Sequence, residues 1–297
     1  MFDQASKLRK MFPDSSEEDE KAEDRSSRHR SRVVSIASGK GGVGKTNITV
    51  NLGLALQKLD KDVLILDADM GMANVDVVLG MTARYHLGHV LEDKCSIEDA
   101  LLQGPSGITV LPGASGVNDF IDIEIDEVKK LLELSAAIED EFDFIIMDIG
   151  AGAHKGVVNF IRAADEIMVV LTPEPTAVMD AYSLLKILSD YALSSRLNLV
   201  VNQVENRREG EKVTERMENA IREYLEIDVD NSTLIPYDSA LRKSVKKQNP
   251  MMEIYPNSKA GKAFSQLAEI MAFGAEKEKS RGMKGFVYRM LGFFRGN

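Results

Sequence analysis

The segment that most limits how this chain can fold is Gly39-Lys-Gly-Gly-Val-Gly-Lys-Thr46, which satisfies G-x-x-x-x-G-K-[ST]. It follows an apolar run, Val33–Ala37, and opens a helical pattern, Thr46–Leu59, that sets Ile48, Leu52, Ala55, Leu56 and Leu59 on one side. A buried strand, a glycine-rich turn and a helix in that order form the first βα step of a parallel sheet. The glycines let backbone N–H groups encircle phosphate oxygens, and the helix N-terminus adds positive potential. Gly39, Lys40, Gly41, Gly42, Val43, Gly44, Lys45, Thr46 and Asn47 are therefore the expected phosphate-binding residues. Lys45 is expected to reach the β- and γ-phosphates, and the Thr46 hydroxyl to ligate Mg²⁺.

The rest of the middle of the chain repeats this alternation. Further strands are predicted at Val63–Asp67, Ile108–Leu111, Phe144–Asp148, Ile167–Leu171, Leu197–Asn202 and Thr233–Ile235. Several are continuous Val/Ile/Leu runs, as expected for strands buried on both faces. Helices are predicted at Glu127–Glu139, Ala177–Tyr191 and Gly261–Met271. The expected fold is a doubly wound α/β domain, a mostly parallel sheet with helices on both faces, spanning residues 32–274. A charged N-terminal arm, 1–31, precedes it, and a linker with an amphipathic segment, 275–297, follows.

Two predicted strands end in acid: Asp67 and Asp69 close one, Asp148 the other. In open α/β sheets ligands gather at the carboxyl ends of strands. Asp148 is the expected Mg²⁺ partner, with Asp67 beside it. The run Val200-Val-Asn-Gln-Val-Glu205 carries neither the Lys nor the Asp of a guanine-reading Asn-Lys-x-Asp. Asn202 offers a donor and an acceptor to a base edge, so ATP is expected rather than GTP.

The 297 residues carry a net charge of −10, which gives no global attraction to nucleic acid. No apolar run approaches the ~18–20 residues that span a bilayer, the N-terminus is polar, and Cys95 is alone, so a cytoplasmic protein is expected. The last residues, Met283–Arg295, place Phe286, Val287, Met290, Leu291, Phe293 and Phe294 on one helical face, with Lys284, Arg289 and Arg295 opposite. That pattern suits an anionic membrane surface, with packing on the chain's own domain or on a partner as the alternative, and two such helices on a dimer would bind a membrane far better than one.

The lysine after the first glycine, Lys40, makes the loop K-G-G-x-G-K-T, which resembles the deviant Walker A motif of the MinD/ParA ATPase family. The resemblance covers residues 32–274. It implies ATP or ADP with Mg²⁺, an ATP-bound homodimer in which Lys40 reaches across to the partner's phosphates, and hydrolysis with Asp69 positioning water. It implies Mg²⁺ held near Thr46, Asp148 and Asp67, and a base-side loop at Pro236, Tyr237 and Asp238. Gly150 stands where that family more often has proline. The opening Asp3-Gln-Ala-Ser-Lys-Leu-Arg9 resembles the D-Q-A-x-x-L-R element of the FlhG (YlxH, FleN) branch of flagellar regulators. That likeness implies that Gln4 stimulates the SRP-type GTPase FlhF, and that flagellar C-ring proteins are partners. A ParA-like partition ATPase binding DNA nonspecifically is the alternative; the acidic balance and Phe-rich tail weigh against it. Metal-carrying relatives would need cysteine ligands that this chain lacks. A scaffold with structural ATP would show no turnover.

Overall fold

The first predicted strand lies at the centre of the sheet. In the computed structural model β1 (Arg32–Ala37) pairs in parallel with β5 (Phe144–Ile149) on one side and β6 (Glu166–Leu171) on the other. Residues 30–69, 74–113, 125–139, 141–191, 195–274 and 280–295 are described, apart from the side chains of 125–129, 294 and 295. Gln4, the rest of the arm to residue 29, and the Phe294 side chain lie outside them.

Eight strands form one sheet in the order β3-β4-β2-β5-β1-β6-β7-β8. The others are β2 (Val63–Ala68), β3 (Leu102–Gln103), β4 (Thr109–Leu111), β7 (Arg196–Val204) and β8 (Asn231–Pro236). All pairings are parallel except the short edge pair β3–β4. Each of the seven predicted strands is present, and β3 is the addition. Two residues are too short for any period to show, and β3 is fixed by its antiparallel ladder to Val110 and Thr109.

Side chains alternate across the sheet, so each face has its own core. Val33 and Ala37 join one, Val34 and Ile36 the other. On the second face lies α1 (Lys45–Gln57), covered by α2 (Val75–Val78), α10 (Met251–Ile254) and α11 (Lys259–Phe273). Here the one-sided helix expected at Thr46–Leu59 is corrected: Ile48 to Leu56 are all buried, so α1 has no solvent stripe. Continuous cover from α11 and the sheet is the cause.

On the first face are α3 (Leu87–Leu91), α4 (Ile97–Ala100), α5 (Ile125–Ile138), α6 (Lys155–Ala163), α7 (Pro175–Ser189) and α8 (Arg207–Leu225). α8 escaped the sequence reading because it buries only Gly210, Met217 and Ile221 in nineteen residues. α9 (Ser239–Lys246) follows β8.

The C-terminal helix, α12 (Gly282–Arg295), forms where expected, but its apolar face is not turned outward. Met283, Phe286, Val287, Met290 and Leu291 are buried against α5 and α6, and Phe286 lies 6.0 Å from Phe160. Polar contacts secure it. The Arg289 guanidinium donates to Ala163 O and to Asp165 Oδ1 (3.1 Å), while Asp165 Oδ2 accepts from Ser280 Oγ (3.0 Å) and Val33 N (3.1 Å). Arg162 is sandwiched between the rings of Phe293 and Tyr191, 3.8 Å from each. A cavity of about 40 Å³ remains beneath α12, lined by Leu131, Leu134, Phe160, Phe286, Val287 and Met290 among others.

α12 sits on the sheet as a terminal element with an imperfectly filled seat, so it is expected to open apart from the global unfolding of the domain. Phe286→Ala should raise hydrogen exchange across 282–295 while leaving the amides of β1 and β5 as protected as before. Phe264→Ala, in the α1–α11 core, should lower global stability by about 3–5 kcal/mol and expose both regions together. Equal loss of protection in β1 for Phe286→Ala would contradict a separately opening helix.

Candidate active site

The loop between β1 and α1 is held in place by two close approaches. A side-chain carbon at Gly39 would lie 2.1 Å from Asp180 O of α7, so only glycine fits there. Gly44 caps α1 with φ 93°, and a carbon on it would strike Asn202 Nδ2 at 2.4 Å. Asn202 Nδ2 donates to Val43 O at 2.8 Å, tying β7 to the loop. A register shift after Asn202, with Gln203 at φ 59°, marks a bulge at that end of β7.

Lys45 ends in a buried ion pair. Its Nζ is 3.0 Å from Asp148 Oδ1, with the side chains 8% and 1% exposed. Thr49 Oγ1 donates to the same oxygen at 3.4 Å. Thr46 and Asn47 are half-buried beside it. Asp67 and Asp148 are register partners on neighbouring strands, so their carboxyls emerge together. Asp67 accepts from Asp69 N (3.1 Å), Asn74 N (2.8 Å) and Val75 N (3.1 Å). Burial nevertheless pushes its pKa up to about 6, with Asp148 adding to the rise and the backbone donors opposing it. Gly150 follows on from β5 and packs beside Asp69. Gly152 N donates to Ser38 O at 3.0 Å, linking this turn to the loop.

Lys40 does not turn into its own cradle. Its Nζ meets Thr176 Oγ1 at 3.0 Å and Glu174 Oε2 at 3.4 Å, at the start of α7, and the side chain is 41% exposed. Neither Glu174 nor Thr176 was among the residues expected from sequence. Pro175 at the first turn of α7 was the visible signal of a helix start there.

Asn202 Oδ1 is buried with no partner among the described residues, an orphaned acceptor beside the loop and suited to an exocyclic amine such as adenine's. Pro236, Tyr237 and Asp238 lie close by in sequence to the end of β8, and Tyr237 N donates to Val204 O at 2.9 Å. Tyr237 is exposed, whereas Asp238 is committed to structure. Its Oδ1 caps α9 through Ala240 N (2.9 Å) and its Oδ2 accepts from Ala260 N (3.2 Å). Burial alone would raise the Asp238 pKa, but these donors hold it below the usual value. Its side chain is therefore already engaged, leaving the backbone for a base.

Among the described residues no group of three or more His, Cys, Asp and Glu side chains is placed to cage a metal. Mg²⁺ in phosphoryl transfer needs no such cage, since phosphates and water fill most of its positions. Asp148, Asp67 and Thr46 with Lys45 are the donors and counter-charge such a site requires, and Asn202 Oδ1 awaits a partner, so the residues fit Mg-ATP. No described helix is long and apolar enough to cross a membrane.

A model of the CobQ/CobB/MinD/ParA nucleotide binding domain matches residues 34–251. The antiactivator FleN of Pseudomonas aeruginosa is 38% identical over 266 residues, 89% of this chain and 95% of that protein. The flagellum site-determining protein YlxH of Helicobacter pylori is 29% identical over 265 residues, 88% and 90% of the two. The septum site-determining protein MinD of Pyrococcus horikoshii, solved with Mg-ADP, superposes with a TM-score of 0.66 at 28% identity, covering 84% of this chain and all (100%) of that one.

Two tests follow from Asp67. Its raised pKa means that the nucleotide-free fold gains relative stability below about pH 4 and loses it as pH rises through about 6. That loss is on the order of 3 kcal/mol and should vanish from the pH–stability curve of Asp67→Asn. Mg-ATP binding should also weaken below about pH 6 in the wild type, with proton release on calorimetry. Parallel pH–stability curves for the two proteins would contradict the assignment.

Proposed function

The chain belongs to the CobQ/CobB/MinD/ParA nucleotide-binding family as a MinD-type ATPase that takes ATP or ADP with Mg²⁺, and from that premise we propose that it is a dimerisation switch whose output is the release of α12 to an anionic membrane. The observation that carries this reading is the docked helix. Phe286, Val287, Met290 and Leu291, four of the residues with the pattern of a lipid-facing surface, are buried on their own domain, and the helix is fastened by Arg289 and Arg162.

The energetics favour an exchange. Burying each large apolar side chain gains about 1.5–3 kcal/mol, whether the apolar surroundings are α5 and α6 or acyl chains. The apolar terms nearly cancel, so the polar ones decide. On release Arg289 gives up Asp165 and Ala163 O and can meet lipid phosphate instead. One helix then binds a membrane marginally; two on a dimer bind through effective concentration.

In the nucleotide site the loop N–H groups and Lys45 hold the β- and γ-phosphates. Thr46, Asp148 and Asp67 would hold Mg²⁺, which would supply neutralising charge to the phosphate oxygens. Lys45 must leave Asp148 for phosphate as the ligand enters. Asn202 accepts from the base, and the backbone of Pro236–Asp238 borders it. Asp69 orients the attacking water. Lys40 exchanges Glu174 and Thr176 for the partner's nucleotide, which makes its present contacts a resting position.

The relatives called an antiactivator and a flagellum site-determining protein support a role in setting flagellar number and placement. In that role the chain acts at the inner face of the cell membrane. Gln4 stimulates the SRP-type GTPase FlhF, and C-ring proteins are further partners.

Full-length protein should sediment with phosphatidylglycerol vesicles in Mg-ATP and stay in solution in Mg-ADP. Asp165→Ala, which frees Arg289, should raise binding in Mg-ADP by about tenfold or more. Sedimentation of a chain lacking 283–297 as well as the intact one would contradict the membrane output. Gln4→Ala should keep ATP turnover and lose stimulation of the partner GTPase; loss of ATP binding would contradict that division of roles.

A further inference from the structure

One strongly charged surface is left unused by the switch. The helix α9 turns Arg242, Lys243 and Lys246 to solvent, its C-cap Lys247 adjoins them, and all four are exposed. None of them has an ion-pair partner among the described residues. Arg242–Lys246 and Lys243–Lys247 are four apart and Lys243–Lys246 three apart, so like charges adjoin along the helix. Each such pair destabilises a helix by about 0.2–0.5 kcal/mol. A chain with net charge −10 thus maintains a self-repelling cationic face that anions from elsewhere would relieve.

Its surroundings narrow the partner. Val245, 40% exposed, borders the cations on the same helix. A phosphodiester chain has no use for an apolar side chain there, and one exposed valine on an eight-residue helix is too little apolar surface to seat it in a lipid layer. A long polyanion would also meet the acidic remainder of the surface. Eight helical residues span about 12 Å, the length of three or four extended residues. A short acidic peptide with an apolar residue fits both the extent and the mixture.

The helix is also built into the nucleotide site. Asp238, which ends the base-side loop, is its N-cap, and beyond its last turn Gln248 lies so close to Gly80 that a side-chain carbon there would stand 2.6 Å from Gln248 O. Gly80 ends the turn after α2, which follows the Asp67–Asp69 strand end. α9 is therefore held at one end by the base-side loop and at the other by the segment leading from the carboxylate site.

We propose that α9 is a docking helix for a short acidic, partly apolar peptide segment of a protein partner, and that its affinity for that segment changes with bound nucleotide. The second part rests on the reading of Pro236–Asp238 as the base-side loop.

The experiment measures fluorescence anisotropy of a labelled peptide of about twelve residues, repeats of Glu-Leu-Asp, with full-length protein, nucleotide-free and in Mg-ATP; ATP affinity is measured on the same samples. Binding should fall about tenfold or more in Arg242→Glu/Lys246→Glu, and by a smaller factor in Arg242→Gln/Lys246→Gln, with ATP turnover unchanged. Replacing Leu by Ser in the peptide should weaken binding to wild type but not to Val245→Ser. The two nucleotide states should differ by about threefold or more.

Unaltered peptide binding in both double variants would overturn the docking site. So would duplex DNA or phosphatidylglycerol vesicles binding through these four residues while the peptide does not. Normal ATP affinity with identical peptide affinity in both states would remove the coupling alone. Absent ATP binding would instead remove the loop reading.

Discussion

Two aspartates that face each other across β2 and β5 are buried with a single lysine between sheet and loop. Asp67, Asp148 and Lys45 carry an uncompensated negative charge in a place where water is scarce. The site is thus tuned against itself: burial pushes the Asp67 pKa up to about 6, and Lys45 is tied to Asp148. Asp148, Asp67 and Thr46 would hold Mg²⁺ and Lys45 a phosphate, and binding of Mg²⁺ with a polyphosphate would relieve both problems. Lys45 opens α1 and Asp148 and Asp67 lie at the ends of β5 and β2, so the cluster joins the loop, the strand-end turns and α1 at one point.

The switch elements radiate from that cluster. Asp67 accepts from the backbone of Asp69, Asn74 and Val75, so a change at its carboxyl is felt directly by the segment after β2. Gly152 bonds Ser38 beside the loop, coupling the turn after β5. Lys40 reaches α7, which packs on α6, and α6 in turn carries α12. These contacts form a packed route from the phosphate-binding loop to the C-terminal helix; in the proposed switch the equilibrium they would bias is α12 docked or released.

Much of this was legible in the chain. Strands buried on both faces leave continuous apolar runs, so β1, β2, β5, β6 and β7 declared themselves. Lys45 and Asp148 were named from motif and strand end, and the structure brings them together. What stayed hidden depends on the third dimension. Amphipathic spacing in 283–295 is the same whether the apolar side meets lipid or α5 and α6, so the docked position of α12 could not be read from period alone. Glu174 and Thr176 lie about 135 residues beyond Lys40, with no local pattern to connect them. α8 is charged over most of its surface and buries too little to show a stripe. Asp238 is expected to meet a base mostly through its backbone, and its hydrogen bonds to α9 and α11, which commit the side chain, come from residues with no local pattern to announce them.

The central claim is that ATP is shared between two copies of the chain through Lys40 and timed by Asp69. Sedimentation velocity in saturating Mg-ATP tests it most directly. Asp69→Ala should accumulate as a dimer because it cannot hydrolyse, and Lys40→Ala should remain a monomer with ATP bound. An Asp69→Ala protein that stays monomeric under saturating ATP would contradict the shared site.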